Sequence, residues 1–514
     1  MGENTENSFG RGDDGGDSEY LVDWTGDDDP GMPQNWALRK RWTVTLSMSA
    51  FSLVASVSSS IVAPCLRSIA EEFRIGGDFE AQMVLSSFVL AWAVGPLFLG
   101  ALSEMYGRIL VLQACNLFFL VFNLAGGFAR SKEQLIVFRV LSGLGASAPT
   151  AVCDGVVADL WREDERGLSI SVYSLAPLLG PAIGPIAGGF IDQYVGWRWT
   201  FYATSIAAAV VSVSGVILTE ETYGPVLLRR KAAELRRRLG NPRWTAKPQH
   251  GDDKSVAATV SATLARSFRM LGTQPVIQVL GLYMAYLFGI IYVLLSTFTT
   301  LWEEAYSQDV AVGGLHYLAI GVGLLLGTQV GARVNDRVFK KLKDGNGGVG
   351  LPEHRLPLLG PASLLIPVGL LVYGWPAQTR APWIVPDIGV AIFTGASIVA
   401  FQCIQMYIID TYPLYSASAM SAASLLRSSA GFAFPIFGPY LYQSMGYGWG
   451  NSVLALVSVV VGVPAVPLLW RYGALLRARS PFCSGANAAV GTVRPCASSE
   501  PGMGRVSKEV NASV

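Results

Sequence analysis

The chain has 514 residues, of which 51% are apolar and only 15% charged, with a formal net charge of +1 and a mean hydropathy of +0.40. Soluble domains carry about 25% charged residues, so this composition excludes a soluble enzyme, and the balanced charge argues against a nucleic-acid-binding protein. The six cysteines show no metal-ligand spacing and no disulfide framework.

The first 42 residues are polar and acidic, which is not the pattern of a cleavable signal peptide. We predict a disordered cytoplasmic tail over residues 1–42 and a second one over 472–514. Between them, a polar and basic interval at 220–273 divides the apolar part of the chain into segments 43–219 and 274–471.

Each apolar segment contains six stretches of the roughly 20 residues that a helix needs to cross a bilayer core of about 30 Å. The sequence therefore predicts twelve transmembrane helices, six on each side of the basic interval. These spans lie at about 43–65, 81–102, 109–128, 134–157, 168–191, 199–219, 275–299, 313–333, 357–375, 384–408, 417–441 and 450–470.

Lysine and arginine are concentrated in the basic interval and in the loop after the eighth span. Because positive residues accumulate on the cytoplasmic side, we expect both termini to be cytoplasmic. Within the interval, Leu227–Leu239 has the pattern of a basic amphipathic helix. We interpret it as an anchor on the inner leaflet, with a partner-binding site as the alternative.

The fifth span carries Gly180, Gly184 and Gly188 at intervals of four residues, which predicts a smooth stripe where another helix approaches closely. Pro185 predicts a bend beside the stripe, and Gly189 completes the string GPAIGPIAGG. Helix packing alone would account for such a stripe, but the order G-x-x-x-G-P-x-x-G-G is specific.

The loop between the second and third spans reads GALSEMYGR. Gly100 predicts close packing and Gly107 a tight turn. Glu104 and Arg108 place opposite charges at the membrane surface. A later loop, DLWREDERG, carries Asp159, Glu165 and Arg166.

These motifs occur together with DPGMPQNW before the first span, WRWTFY before the sixth and YSASAMSAASLLRS in the eleventh. The combination, over about residues 28–480, resembles the fungal twelve-span drug:proton antiporters of the major facilitator superfamily. Two positions depart from the family pattern, since Glu104 stands where Asp is usual and Ser142 where Gln is frequent. The resemblance implies an all-α membrane protein with two six-helix bundles around one alternately opening cavity.

The resemblance also implies roles for charges inside the membrane, where each costs about 2.5–3.5 kcal/mol at a helix centre. Arg139 lies in the coupling motif of the fourth span, and Asp154 is the best-embedded carboxylate of the first half, so we assign both to proton coupling. The alternatives are a structural hydrogen bond for Arg139 and simple solvation for Asp154. Fifteen residues separate them, or about 22 Å along a helix. For Arg427, bracing of the second half is the favoured interpretation.

Other titratable residues are weaker candidates. Asp387 and Asp410 lie near the two ends of the tenth span, and we expect structural roles for the three histidines. The carboxylates expected at solvated helix ends are Asp192, Glu220, Glu221, Glu303 and Glu304.

In the family, spans 1, 4, 7 and 10 line the cavity. The resemblance therefore assigns to the cavity the following residues of spans 7 and 10: Tyr283, Tyr286, Tyr292, Gln402 and Gln405. Aromatic faces with a few amides suit bulky, mostly apolar or cationic molecules. Packing between helices is an equally good interpretation of any one of these tyrosines.

The sequence thus predicts a plasma-membrane exporter that exchanges protons for small organic molecules such as drugs, toxins or fungal secondary metabolites. No phosphate-binding loop of the G-x-x-x-x-G-K-[ST] type occurs, so we expect the proton gradient as energy source and no cofactor. The expected partners are the substrate, protons and the lipid bilayer, with no nucleic acid, and the expected assembly is a monomer. A proton-coupled nutrient importer is the main alternative, followed by a transporter-like sensor. A membrane enzyme is least favoured.

Overall fold

The computed structural model describes residues 20–26, 28–162, 165–246, 256–478 and 480–483, and these are predominantly helical. Seventeen helices are found in this part of the chain. The first nine are α1 (Leu38–Ser60), α2 (Leu66–Glu72), α3 (Asp78–Val94), α4 (Pro96–Tyr106), α5 (Arg108–Gly127), α6 (Lys132–Ala146), α7 (Ala148–Leu160), α8 (Arg166–Val195) and α9 (Arg198–Leu218).

The remaining helices begin in the basic interval. They are α10 (Gly224–Leu239), α11 (Val256–Thr273), α12 (Pro275–Glu304), α13 (Val310–Leu315), α14 (Tyr317–Gly345), α15 (Leu359–Gln378), α16 (Ile384–Thr411) and α17 (Ser416–Ala478). Short 3-10 helices lie at Pro33–Asn35, Ala63–Cys65, Pro352–Arg355 and Pro413–Tyr415.

The described helices account for twelve membrane crossings. Ten are apolar and at least 18 residues long, and α3 with α4 forms an eleventh span that is bent by 46°. Pro96, which lacks a backbone N–H, starts α4 just after this bend. The 63 residues of α17 would measure about 95 Å if straight, three times a bilayer core. Gly446 interrupts the helix with φ 72°, ψ 171°, so α17 crosses twice.

The apolar core follows the division into halves. The second half forms one large buried cluster from residues of α11, α12 and α14 to α17, which Val89 of α3 joins from the first half. The first half has three smaller clusters, formed by residues of α1 to α9. We call the end of the molecule where α1 begins the near end, and the opposite end the far end.

The chain ends pack more extensively than the predicted disordered tails. Leu21–Val22 pairs in parallel with Thr245–Ala246, and Val22 is only 1% exposed. At the other terminus, the Ser480 hydroxyl donates to Gln274 Oε1 at 2.5 Å. The prediction of disorder is therefore wrong for the described residues within 20–42 and 472–483, because apolar residues there are buried against the body of the protein. Residues 1–19 and 484–514 lie outside the described part of the chain.

The predicted amphipathic helix is present as α10, but its apolar face is covered by protein. Leu228 and Ala232 are buried in a small cluster with Val22, and Trp24 packs against the same cluster. The anchor interpretation for this face is wrong, because the N-terminal segment occupies the surface that a bilayer would have to cover.

Candidate functional site

Arg108 organises the near end of the first half. It begins α5, and its side chain reaches Asp159 Oδ2 at 3.3 Å and Glu104 Oε1 at 3.8 Å. The guanidinium also donates to Ser103 Oγ at 3.0 Å and lies over the ring of Tyr223 at 4.8 Å. Burial, followed by the negative charge of Glu104, raises the pKa of the Tyr223 phenol. Four chain segments therefore meet at one cation.

Glu221 completes this network, although the sequence placed it among solvated helix ends. It is 6% exposed, and its Oε1 accepts the Arg108 backbone N–H at 2.9 Å. Gly107 adopts φ 108°, and any side chain there would collide with the Glu221 carboxylate. The expectation that Glu221 is solvated is wrong, because the tight turn at Gly107 brings an otherwise free N–H against it. Gly100 does not pack closely, since a Cβ there would meet no described atom within 4 Å.

A second charge network lies at the near end of the other half. Arg355, just before α15, reaches Asp410 Oδ2 and Asp336 Oδ1, each at 3.2 Å. The Glu353 carboxylate pairs with Arg477 near the end of α17. Asp410, predicted as a weak proton-site candidate, is therefore an ion-pair partner.

The glycine stripe of α8 lies directly against α1. Cβ atoms on Gly180 and Gly184 would collide with Ser56 and Ser60, and one on Gly188 with the Ile61 carbonyl oxygen. The Ser60 hydroxyl donates to the Gly180 carbonyl at 3.2 Å. The two helices are thus in backbone contact along three turns.

The end of the same motif faces the other half of the molecule. A Cβ on Gly189 would lie 3.0 Å from the Val310 carbonyl oxygen, and Gly314 approaches the Pro185 carbonyl. The Ala311 N–H donates to Gln193 Oε1 at 2.9 Å. The motif of α8 therefore joins the two halves as well as packing on α1.

Two further polar contacts cross between the halves at the far end. Arg67 pairs with Glu303 at 3.2 Å, and Gln443 donates to Asp78 at 2.8 Å. Glu303 was expected to be solvated, but its side chain is only 14% exposed because it lies under Arg67. Together with α13 on α8, these contacts hold the far end closed.

Arg139 lies at the centre of the first half and is 1% exposed. Its guanidinium donates to the carbonyls of Val84 at 3.1 Å and Ser58 at 3.0 Å, and lies 4.4 Å from the Phe88 ring centroid. Its Nη2 has no partner among the described residues. The arginine thus joins α6 to α1 and α3 through backbone carbonyls rather than through a carboxylate.

Asp154 occupies a different environment from Arg139. It is exposed on α7, next to the buried Cys153, and its carboxylate is hydrogen-bonded to Tyr173 of α8. The Tyr173 hydroxyl is also 3.1 Å from Ser52 Oγ on α1. A proton acceptor thus lies where three helices of the first half meet.

The structure rearranges the predicted cavity residues. The Tyr283 hydroxyl donates to Ser363 Oγ at 3.0 Å, and that of Tyr286 to the Leu454 carbonyl at 2.5 Å, so both point into the second half. Gln402 lies against Gly331 of α14. The assignment of these three residues to a cavity is wrong, because the face of α12 that carries Tyr283 and Tyr286 packs within its own bundle, and Gln402 of α16 packs on α14 of the same half. For Gln405, which is half-buried, the structure gives no contact that assigns a role.

Tyr292 does face the other half, and it belongs to an aromatic cluster that the sequence did not single out. Its hydroxyl reaches Ser59 Oγ at 3.5 Å, and its ring lies 4.9 Å from Phe288. Phe288 in turn contacts Phe401 and lies 5.1 Å below the guanidinium of Arg427. The helical spacing of Phe288 and Tyr292, four residues apart, was the available signal.

Of the three histidines, for which structural roles are expected, His316 lies at the far end in a buried polar contact. Its Nδ1 lies 2.7 Å from Asp387 Oδ2, and both residues are 8% exposed at the far end. His354 is buried at the near end, where its Nδ1 accepts the Leu351 N–H at 3.4 Å. His250 lies outside the described residues.

Comparisons with known proteins point in one direction. A family model described as Major Facilitator Superfamily matches residues 48–435. The efflux pump vrtL of Penicillium aethiopicum is 42% identical over 467 residues, covering 90% of this chain and 92% of that protein. The MFS-type transporter oryF of Aspergillus oryzae is also 42% identical, over 462 residues covering 90% and 94%.

Solved structures show the same fold at low sequence identity. The xylose transporter XylE from E. coli, in a partially occluded inward-open conformation, aligns with a TM-score of 0.62 at 15% identity, over 84% of this chain and 98% of that one. A bacterial homologue of the human lysosomal transporter Spinster aligns with a TM-score of 0.61 at 16% identity, over 88% and 99%.

Proposed function

Because the chain belongs to the major facilitator superfamily and is a multi-pass membrane transporter, we propose that it exports small organic molecules across the plasma membrane in exchange for protons. The observation that carries this proposal is the glycine motif of α8, which packs on α1 and ends against α13 of the other half. Two helices in backbone contact can pivot on each other, so we take this contact as a hinge between the state that is closed to the outside and the state that is closed to the inside. Relatives named efflux pumps support the outward direction.

In this proposal the termini and the near end are cytoplasmic. The positive residues of the basic interval support that orientation. The far end, closed by α13 and by Arg67 with Glu303, is then extracellular, and the structure corresponds to a state that is sealed from outside.

The substrate proposed here is aromatic and neutral or acidic rather than cationic. Phe288, Tyr292 and Phe401 form an aromatic cluster where the halves meet, with Tyr292 and Phe401 buried in this closed state. Separation of the halves would uncover rings that favour stacking with flat ligands. Arg427 is half-buried beside them, and its Nε has no partner among the described residues. A guanidinium repels cations and can bind a phenolate or carboxylate, so we propose acidic substrates in place of the cationic ones expected from the sequence.

Asp154 is the proposed proton carrier of the first half, and Arg139 fixes the helices around it. An exposed carboxylate beside the Tyr173 hydroxyl can exchange protons with water, whereas Arg139 is fully enclosed. Proton movement then requires Asp154 and an intact Arg139 scaffold.

The test is transport in proteoliposomes that contain the purified full chain and a fluorescent aromatic acid. An imposed proton gradient should drive the probe against its concentration gradient, in the direction opposite to the protons. Asp154→Asn should abolish this driven movement but allow exchange of labelled for unlabelled probe. Glu220→Gln, which alters an exposed carboxylate paired with Lys40, is the matched control and should transport normally. Movement of probe and protons in the same direction would favour the importer.

A further inference from the structure

His316 and Asp387 form an enclosed pair that the transport mechanism above does not use. His316 lies between α13 and α14, and Asp387 lies in the first turn of α16. The 2.7 Å separation of His316 Nδ1 and Asp387 Oδ2 is that of a charge-assisted hydrogen bond.

The rest of the imidazole ring is also fully engaged. Its Nε2 lies 2.9 Å from Gln308 Oε1, so both ring nitrogens have oxygen acceptors. Only the protonated ring donates from both nitrogens. The ring further stacks on Trp302 with centroids 3.6 Å apart and planes 9° from parallel, an arrangement that favours a cation. With the Gln308 amide oxygen turned toward the ring, the surroundings therefore suit an imidazolium.

The same residues support the segment that closes the far end. The Gln308 N–H donates to the Trp302 carbonyl at 3.0 Å, and Ser307 beside it has φ 54°. Gln308 directly precedes the N-cap of α13, the helix whose backbone meets Gly189 and Gln193 of α8. Gln308 thus links His316 to the helix that contacts the other half.

We propose that the His316–Asp387 pair is a proton-binding site that locks the far end closed when it is loaded. The inference rests on the proposed function, in which the far end is extracellular. A neutral His316 takes one proton from water, and the resulting imidazolium is held by Asp387 and Gln308. If the closed state binds this proton more tightly than the open state, protonation must by linkage favour closure.

This gives the lock a place in the transport cycle. After substrate leaves to the outside, an external proton loads the pair and closes the far end, which returns the carrier to its inward-facing state.

The other titratable groups around the pair predict a different response. Tyr306 and Tyr373 face Asp387 from the loop after α12 and from α15, and tyrosines do not titrate between about pH 5 and 8. Glu303 with Arg67 does bridge the halves, but protonation of Glu303 would weaken that bridge. Acid therefore closes the far end through His316 and loosens it through Glu303, so the sign of the response distinguishes them.

The experiment places spin labels at Tyr194→Cys on α8 and Val312→Cys on α13, two exposed positions, in the reconstituted full chain. Distances between the labels are measured from about pH 5 to pH 8.5. In the parent the short, closed distance should gain population as the pH falls. His316→Gln should remove this dependence. Gln308→Glu, which adds a second carboxylate to the imidazolium, should move its midpoint up by about one pH unit.

The matched control is His354→Gln, the same substitution in a buried histidine at the near end, and it should leave the far-end response unchanged. A distance that ignores pH, opens in acid, or still closes in acid in His316→Gln would each overturn the lock. If His316→Gln fails to insert, an unmoved midpoint in Gln308→Glu overturns it as well. A response that follows His316 without proton-driven efflux of any probe would preserve the lock and reject the exporter.

Discussion

The near ends of the two halves have the same arrangement of charged side chains, built from different residues. In each half, an arginine at the start of the third membrane span (α5 or α15) pairs with an acidic residue from the second span and with another from the end of the fourth span. Arg108 meets Glu104 and Asp159 in the first half. In the second half, Arg355 meets Asp336 and Asp410 in the same arrangement. We call each set of one arginine and two acids a near-end triangle.

The difference lies in what the sixth helix contributes. In the first half the chain after α9 supplies an acid, Glu221, to the backbone of Arg108. In the second half the end of α17 supplies a base, Arg477, which meets Glu353. The near-end triangle is thus the repeated unit, while the additional partner differs in sign between the halves.

The halves also differ at their centres. Arg139 is enclosed and hydrogen-bonded to two backbone carbonyls, whereas Arg427 rests on an aromatic ring and keeps a free Nε among the described atoms. The first half therefore uses its arginine to fix helices, and the second half presents its arginine to the space between them.

The largest expected effect separates the two central arginines. Arg139→Ala should reduce proton-driven transport by at least about 100-fold, because two buried carbonyls and three helices lose their common partner. Arg427→Ala should still insert and move protons, but with weaker binding of acidic substrates. Transport rates and substrate affinities in proteoliposomes distinguish the variants, and surface-labelled protein controls for insertion. Equal losses of transport rate in the two variants would contradict the distinction between the two arginines.

The next effect concerns how closely helices pack in each half. A Cβ at Gly184 would lie 2.8 Å from the Val57 carbonyl oxygen, whereas one at Gly438 would meet a methyl group of Val293 at 3.0 Å. Backbone cannot yield as a side chain can, so Gly184→Ala should cost about 1–3 kcal/mol and most of the activity. Gly438→Ala should be tolerated. Thermal unfolding in detergent and transport assays check both, and normal activity of Gly184→Ala would remove the hinge interpretation of α8.

A smaller effect compares the two near-end triangles. Arg108 is 9% exposed and donates to the Ser103 hydroxyl as well as to carboxylates, while Asp336 beside Arg355 has a 69% exposed side chain. Arg108→Ala should therefore destabilise the protein by about 3 kcal/mol, as for a broken buried pair. Arg355→Ala should cost on the order of 1 kcal/mol, since water screens its partners. Thermal unfolding of the two variants in the same detergent provides the comparison, and the reverse order would contradict it.

The sequence predicted most of this frame because transmembrane spans are long and their hydropathy is nearly unambiguous. It also placed Arg108 and Glu104 together, since a helix end and a tight turn bring such neighbours to one surface, but it did not join Asp159 to them. It did not place Glu221 or pair His316 with Asp387, because these contacts join residues 71 or more positions apart. Helical direction misled it for Tyr283 and Tyr286, whose face of α12 cannot be told from the cavity face when every side is apolar.

The smallest expected effect tests whether burial, rather than the mere presence of ion pairs, separates strong contacts from weak ones. Lys40 pairs with Glu220 at 2.7 Å, a shorter distance than between Arg108 and Asp159, but its partner side chain is 68% exposed. If distance decided, Lys40→Ala would cost more than Arg108→Ala. Because water competes for both charges, we expect less than about 1 kcal/mol and unaltered transport. A thermal shift in Lys40→Ala as large as that in Arg108→Ala would show that the near end is stabilised by many exposed charges rather than by one enclosed arginine.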